Sequence, residues 1–135
     1  MNNDAQALMN QQAELAEAAL YAQEWINTAT SILEKQPAIL RSEQPNQAFD
    51  ALAASVDGLD WLHQLANAAH NLGEIEFDEN GNSTFSKFGV SLLNITTELV
   101  NVMEASDTLL LADLVEYELL PLLANFRQSA NELVA

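Results

Sequence analysis

The chain has 135 residues and no cysteine, which excludes disulfides, thiolate metal sites and cysteine nucleophiles together. Glycine and proline are scarce, four and three, so few residues break helices or force tight turns. Cations are also scarce: Lys35, Arg41, Lys87 and Arg127 stand against twenty Asp and Glu, for a net charge of −16. Such a surface repels nucleic acid phosphates and anionic lipid, and it favours basic partners. An acidic solvated coat accounts for the same balance with no partner at all, because net charge reports on solubility rather than fold. No run approaches the ~18 consecutive apolar residues of a membrane span. The first residues, MNNDAQALMNQQ, lack the basic start and apolar core of a secretory leader. The expected compartment is the cytoplasm, with neither membrane nor nucleic acid as partner.

What is present is apolar and periodic. Hydrophobic residues make up 49% of the chain, enough for a single domain over residues 1–135 to bury a core. The segment Ser106 to Phe126, SDTLLLADLVEYELLPLLANF, is the most apolar. On a helical wheel Leu110, Leu111, Leu114, Val115, Tyr117, Leu119, Leu122, Leu123 and Phe126 cover more than half the circumference, so partners should wrap this helix on several sides. Ser106 or Asp107 is placed to cap its start. Pro121 falls inside it, frees the carbonyl of Tyr117 and should kink the rod.

Three further helices precede it. Residues Asp4 to Lys35 carry Leu8, Leu15, Ala18, Ala22, Trp25, Ile26, Ala29, Ile32 and Leu33 on one face. Pro37 breaks that pattern, and Ile39 and Leu40 should tuck under the bundle end. A second helix is expected to start near Ser42 to Pro45, with Ser42 as its cap. Phe49, Leu52, Val56, Leu59, His63, Ala66 and His70 then repeat at steps of three and four, the spacing of an interhelical seam. Gly73 is the natural stop. Ile75 and Phe77 alternate with Glu74 and Glu76, and Asn80-Gly81 is a tight-turn signal, which predicts a small β-hairpin or loop insertion around residues 74–85. From Ser83 or Thr84 the helical period returns, with Phe85, Phe88, Leu92, Ile95, Leu99, Val102 and Met103 inward. A very short connection near Ala105 makes the last two helices antiparallel neighbours. The predicted fold is all-α: an antiparallel four-helix bundle with that insertion before the third helix.

Candidate chemistry is sparse. Glu118 falls on the wheel between Leu114 and Leu111, inside the apolar arc, while Glu116 points away. A buried carboxylate must be paired, hydrogen-bonded or protonated, and Tyr21, Trp25 and His63 are the candidate donors. A metal ligand or catalytic acid is the functional reading; a hydrogen-bonded core carboxylate or a subunit contact is favoured. His63 and His70 share the second helix's apolar seam. Di-metal bundles supply two Glu-x-x-His pairs, whereas Asp60-Trp61-Leu62-His63 gives one Asp-x-x-His and no second copy exists, so satisfied core histidines are the better account. The pairs Glu14/Glu17 and Asp57/Asp60 are spaced unlike those of helical nucleotide pyrophosphohydrolases. Asp78 to Asn82 has its glycine misplaced for a calcium loop, with Gly89 where a glutamate belongs. No cofactor or metal is implied. The candidate buried polar or interaction residues are Glu118, His63, His70 and Tyr117.

The segment from Asp107 to Leu123, DTLLLADLVEYELLPLL, resembles the stretch D-x-x-L-L-A-D-L-L-E-Y-E-L-x-P-L-L that closes a family of small, uncharacterised bacterial helical proteins often encoded near flagellar genes. The matching residues are Asp107, Leu110, Leu111, Ala112, Asp113, Leu114, Glu116, Tyr117, Glu118, Pro121, Leu122 and Leu123. Val115 replaces a leucine, and Thr108 stands where that family often has an aromatic. The resemblance implies a cytoplasmic, motility-associated helical protein without an assigned reaction. The leading expectation is therefore a non-enzymatic interaction module, a flagellar accessory or export-chaperone-like factor, that binds a protein partner and forms a homodimer. The alternative is a metal-dependent hydrolase, nucleotide pyrophosphohydrolase-like, built from Glu118, His63 and His70 or the acidic pairs. A nucleic-acid mimic ranks last, because the acids are scattered over all the helices.

Overall fold

The computed structural model describes residues 2–71 and 84–134. Helix α1 spans Asn2–Leu33, α2 Gln36–Leu40, α3 Phe49–Asn71, α4 Thr84–Glu104, α5 Thr108–Leu114 and α6 Leu120–Val134, with a 3-10 turn at Pro45–Ala48 and a π-helical turn at Val115–Leu119 joining α5 to α6. The described residues thus form four rods, α1, α3, α4 and the composite α5–α6, and contain no strand. The predicted hairpin lies outside the described residues, except that Thr84 and Phe85 already belong to the first turn of α4.

Side-chain contacts fix the directions. Gln23 and Asn27 on α1 bond Asn131 and Arg127 on α6, so those rods run antiparallel. Trp25 sits against Gly58, and Ile32 and Leu33 lie by Ala51, which makes α1 and α3 antiparallel as well. Phe88 meets Phe126 edge to face at 5.4 Å while Glu98 shares a cleft with Glu118, so α4 and α6 are antiparallel too. Going round the ring, α3 and α4 are antiparallel by necessity.

The core is a column of apolar side chains at helical spacing: Leu15, Ala19, Ala22, Ile26 and Leu33 from α1; Leu52, Leu59, Leu62 and Ala66 from α3; Leu92, Ile95, Leu99 and Val102 from α4; and Leu111, Leu114, Val115, Leu119, Leu123 and Phe126 from the last rod. Each fully buried Leu or Phe contributes about 1.5–3 kcal/mol. The terminal rod is one side of this ring: it is buried along the inner face but exposed at Leu109, Leu110 and Tyr117, so its neighbours do not wrap it on several sides as its composition suggests. On α3 the true seam runs through Leu52, Ser55, Leu59, Leu62, Ala66 and Ala69. That is rotated from the predicted one, leaving Val56 and His63 half-buried. Ser55 can be buried because its hydroxyl donates to the carbonyl of Leu52. Ile32, expected inward, is exposed.

The ends of the rods are closed locally. Buried Gln36 donates its side-chain amide to the carbonyl of Ile32 at 2.7 Å, covering an orphan acceptor at the end of α1. Pro37 does not abolish helix but opens the short α2, which carries Leu40 into the core. Ser42 does not cap α3: its hydroxyl donates to Ile39 and accepts from the Gln44 N–H, closing the turn after α2. After α4 the chain reverses at Ser106, which has a φ of 55°. The N–H of Ser106 bonds Met103, and that of Asp107 bonds Val102, a Schellman closure with serine where glycine is usual. Asp107 then caps α5 by accepting from the Leu110 N–H, as the sequence suggests.

The π-helical turn corrects the helical wheel. The Leu120 N–H bonds the carbonyl of Val115, five residues back, one position before Pro121, which has no N–H to give. Leu111, Val115, Leu119 and Leu123 are all buried at successive steps of four. In a regular helix each such step over-rotates by ~40°, spreading four residues over ~120°. A wider turn advances less per residue, so it keeps these side chains in one narrow seam. The same lag carries Glu118 out of the apolar arc to the surface, and leaves Leu122 half-buried.

Candidate interaction surface

Among the described residues, Glu118, Tyr117 and His63 do not share a site. Glu118 is exposed, in a surface cleft with Ser91, Asn94, Ile95, Glu98 and Leu122. Its expected burial is overturned by the π-helical turn. Tyr117, also expected inward, is 68% exposed. His63 is half-buried, and both its nitrogens are engaged: Nδ1–H donates to the carbonyl of Gly89 at 2.7 Å, and Nε2 accepts from Asn67 at 3.3 Å. That is a histidine bracing α3 against α4. The side chain of His70 lies outside the described residues. Among the described residues, no three His, Asp or Glu side chains converge as metal ligands would.

Tyr117 instead belongs to a surface cluster seeded by Arg41. From the end of α2, Arg41 reaches Asp113 at 2.8 Å and Glu116 at 3.2 Å. The Arg41 guanidinium, and then the Tyr117 hydroxyl, hold the Glu116 carboxyl below the usual carboxylate range. The same Glu116 hydrogen bond raises the Tyr117 phenol. Glu116 is therefore the paired acid and Glu118 the solvent-facing one, the reverse of the wheel. Leu109 and Leu110 are exposed nearby.

A groove lies between α1 and α3. Tyr21, Glu24, Trp25, Thr28, Gly58 and Trp61 line one half. The other half, a cavity of about 130 Å³, continues from Trp25 and Thr28 past Ala29, Ile32 and Leu33 to Ala51, Ala54 and Ser55. Its floor is small because the sequence places alanine, serine and glycine at 51, 54, 55 and 58. Trp25 lies over Gly58, where its Cζ2 is 2.0 Å from the position a β-carbon would take. Tyr21, Ile32 and Trp61 remain exposed at the edges. Exposed aromatics beside a concave apolar floor mark contact sites on proteins.

The rim is acidic. Glu17 and Glu24 flank Tyr21 along α1, while Asp50 and Asp57 flank Ala54 along α3, all four exposed. Neither α1 nor α3 contains a single Lys or Arg. The sequence held this signal in its cation-free helices. The groove itself needed the register of α1 on α3, which no single helix reports.

A family signature matches residues 17–129, the domain of unknown function DUF8042. The chain belongs to the DUF8042 family. The DUF8042 match takes in the groove, the Arg41 cluster and the Asp107 to Leu123 segment alike. No curated protein and no solved structure matches the chain. No helix among the described residues is long and apolar enough to cross a membrane.

Proposed function

We propose that this DUF8042 protein is a non-enzymatic interaction module whose α1/α3 groove holds a basic amphipathic helix of a partner protein. The observation that carries the reading is the pairing of an aromatic, small-floored groove with walls that bear acids and no cations. A helix laid in a groove buries its apolar face at steps of three and four. Lys or Arg on its flanks would meet Glu17, Glu24, Asp50 and Asp57, which steers encounter and disfavours acidic competitors. The resemblance of the Asp107 to Leu123 segment supports a cytoplasmic, motility-associated setting, in which export substrates of the flagellar system supply the partner helix.

Titration with a synthetic basic amphipathic helix, followed through Trp25 and Trp61 fluorescence, tests the groove. Binding should weaken with added salt, and Trp61→Ala should weaken it by roughly thirtyfold, as loss of an aromatic anchor does. An affinity indifferent to Trp61→Ala would sink the groove reading. Co-migration of the full chain with flagellar export substrates on a sizing column tests the setting separately. Binding of the synthetic helix without any such co-migration would leave the groove and remove the motility assignment.

A further inference from the structure

A second surface lies on a different helix. On α4, Leu92, Ile95, Leu99 and Val102 face the core, while Val90, Leu93 and Val100 are exposed at 58%, 52% and 36%. Thr97, also exposed, completes the row. The steps between Val90, Leu93, Thr97 and Val100 are three, four and three, the spacing of a seam between two helices packed side by side. Thr97 suits that seam better than its type suggests. Its hydroxyl donates to the Leu93 carbonyl at 2.9 Å, so its polar atom is engaged within α4 and its methyl group is left to the surface.

The charge pattern says what covers this row. The four residues carry no charge, nor do Asn94 and Asn101 on one edge and Asn67 of α3 on the other; the acid on the row is Glu104, one turn beyond Val100. Glu98 lies round the helix, in the cleft with Glu118. On a chain with twenty acids, an uncharged apolar strip is where two copies can meet without facing each other's carboxylates. A basic partner would want acids along the row, as the α1/α3 groove has and this face lacks.

We propose that the outward face of α4 is a seam for a second copy of this chain, packed antiparallel about a two-fold axis near the level of Ile95. In that register Val90 of each copy meets Val100 of the other and Leu93 meets Thr97. Glu104, at one end of each copy's row, then lies at the far end of the seam from its counterpart. A parallel pairing would set Glu104 beside its own copy, and like charges at an interface are costly. The two-fold arrangement uses the same patch on both copies, as closed dimers do. It leaves the α1/α3 groove of each copy open, so it stands or falls independently of what that groove binds.

Sedimentation equilibrium of the full chain from micromolar to millimolar concentration is the first test, run beside Leu93→Glu. The chain should sediment as a dimer, and Leu93→Glu should weaken association by roughly a hundredfold or more; at concentrations too low for the parent to dimerise the two should melt alike, since Leu93 is exposed in the monomer. Because the chain has no cysteine of its own, single cysteines give an independent readout of register. A mixture of Val90→Cys and Val100→Cys chains should cross-link under mild oxidation, and neither should cross-link alone. A monomer at every concentration, a dimer indifferent to Leu93→Glu, or cross-linking of either cysteine variant alone in place of the mixture would overturn the proposal.

Discussion

Trp25 occupies the space that a side chain on Gly58 would need: its Cζ2 sits 2.0 Å from where a β-carbon would be. Two helices meet closely here because one of them offers nothing but backbone. The indole is thereby held over α3, and forms the shared wall of both halves of the groove.

Gly58→Ala should therefore destabilise the protein, although alanine is the better helix former by about 1 kcal/mol. The methyl group must displace a ring rather than the tip of a flexible chain, and such overpacking costs about 1–3 kcal/mol. Urea denaturation should show a lower midpoint, with a shifted Trp emission in the native state. A variant as stable as the parent would show that Trp25 can swing away freely.

Ser106 gives the opposite expectation. A φ of 55° is a conformation that costs an L-residue roughly 1–2 kcal/mol and glycine almost nothing. Ser106→Gly keeps both Schellman hydrogen bonds, since they come from backbone N–H groups. The added freedom of the unfolded chain returns part of the gain, so a net stabilisation of up to about 1 kcal/mol is expected. Thermal and urea melts read it directly, and a loss of stability would mean that the serine side chain contributes to the turn.

The rods, their order and most of the core can be read from the sequence because apolar spacing at three and four is a local property. What could not be read depends on local departures from ideal geometry or on register between helices. Glu118 illustrates the first: a wheel drawn at 100° per residue cannot know that the turn from Val115 to Leu119 is wide. Ser55 illustrates another such case, since its burial rests on a hydroxyl bond to its own helix. The Trp25 and Gly58 contact and the reach of Arg41 to Asp113 and Glu116 illustrate the second. They join residues 33 and more than 70 positions apart, and only packing brings them together.

Arg41 should make a pH-dependent contribution. Hydrogen bonding from Arg41, and next from Tyr117, lowers the Glu116 pKa in the folded protein. A carboxyl with a lower folded than unfolded pKa adds stability above its unfolded value, and that stability is lost as pH falls through the folded value. The difference in melting temperature between the parent and Arg41→Met should thus be largest near neutrality and shrink as pH drops below about 4. More than a third of each side chain in the Arg41–Glu116 pair is open to water, so the effect is modest and salt should reduce it further. A difference that stays constant down to pH 3 would assign the role of Arg41 to its aliphatic stem rather than its charge.

Glu118→Leu separates the surface carboxylate seen here from the buried one that the helical wheel places in the core. Removing a buried, unpaired carboxyl would relieve a large polar cost and stabilise the fold clearly. An exposed carboxylate has no such cost to relieve, and its one acidic neighbour across the cleft is Glu98. The variant should then lie within about 0.5 kcal/mol of the parent, and Glu118→Lys should gain a few tenths of a kcal/mol by facing Glu98 with the opposite charge. Melting with added Mg²⁺ or Mn²⁺ is the companion measurement, because a cation held by the folded cleft would raise the transition. A rise in the parent that Glu118→Leu abolishes would assign the cleft between α4 and the π-helical turn to a metal, and the hydrolase alternative would return with it.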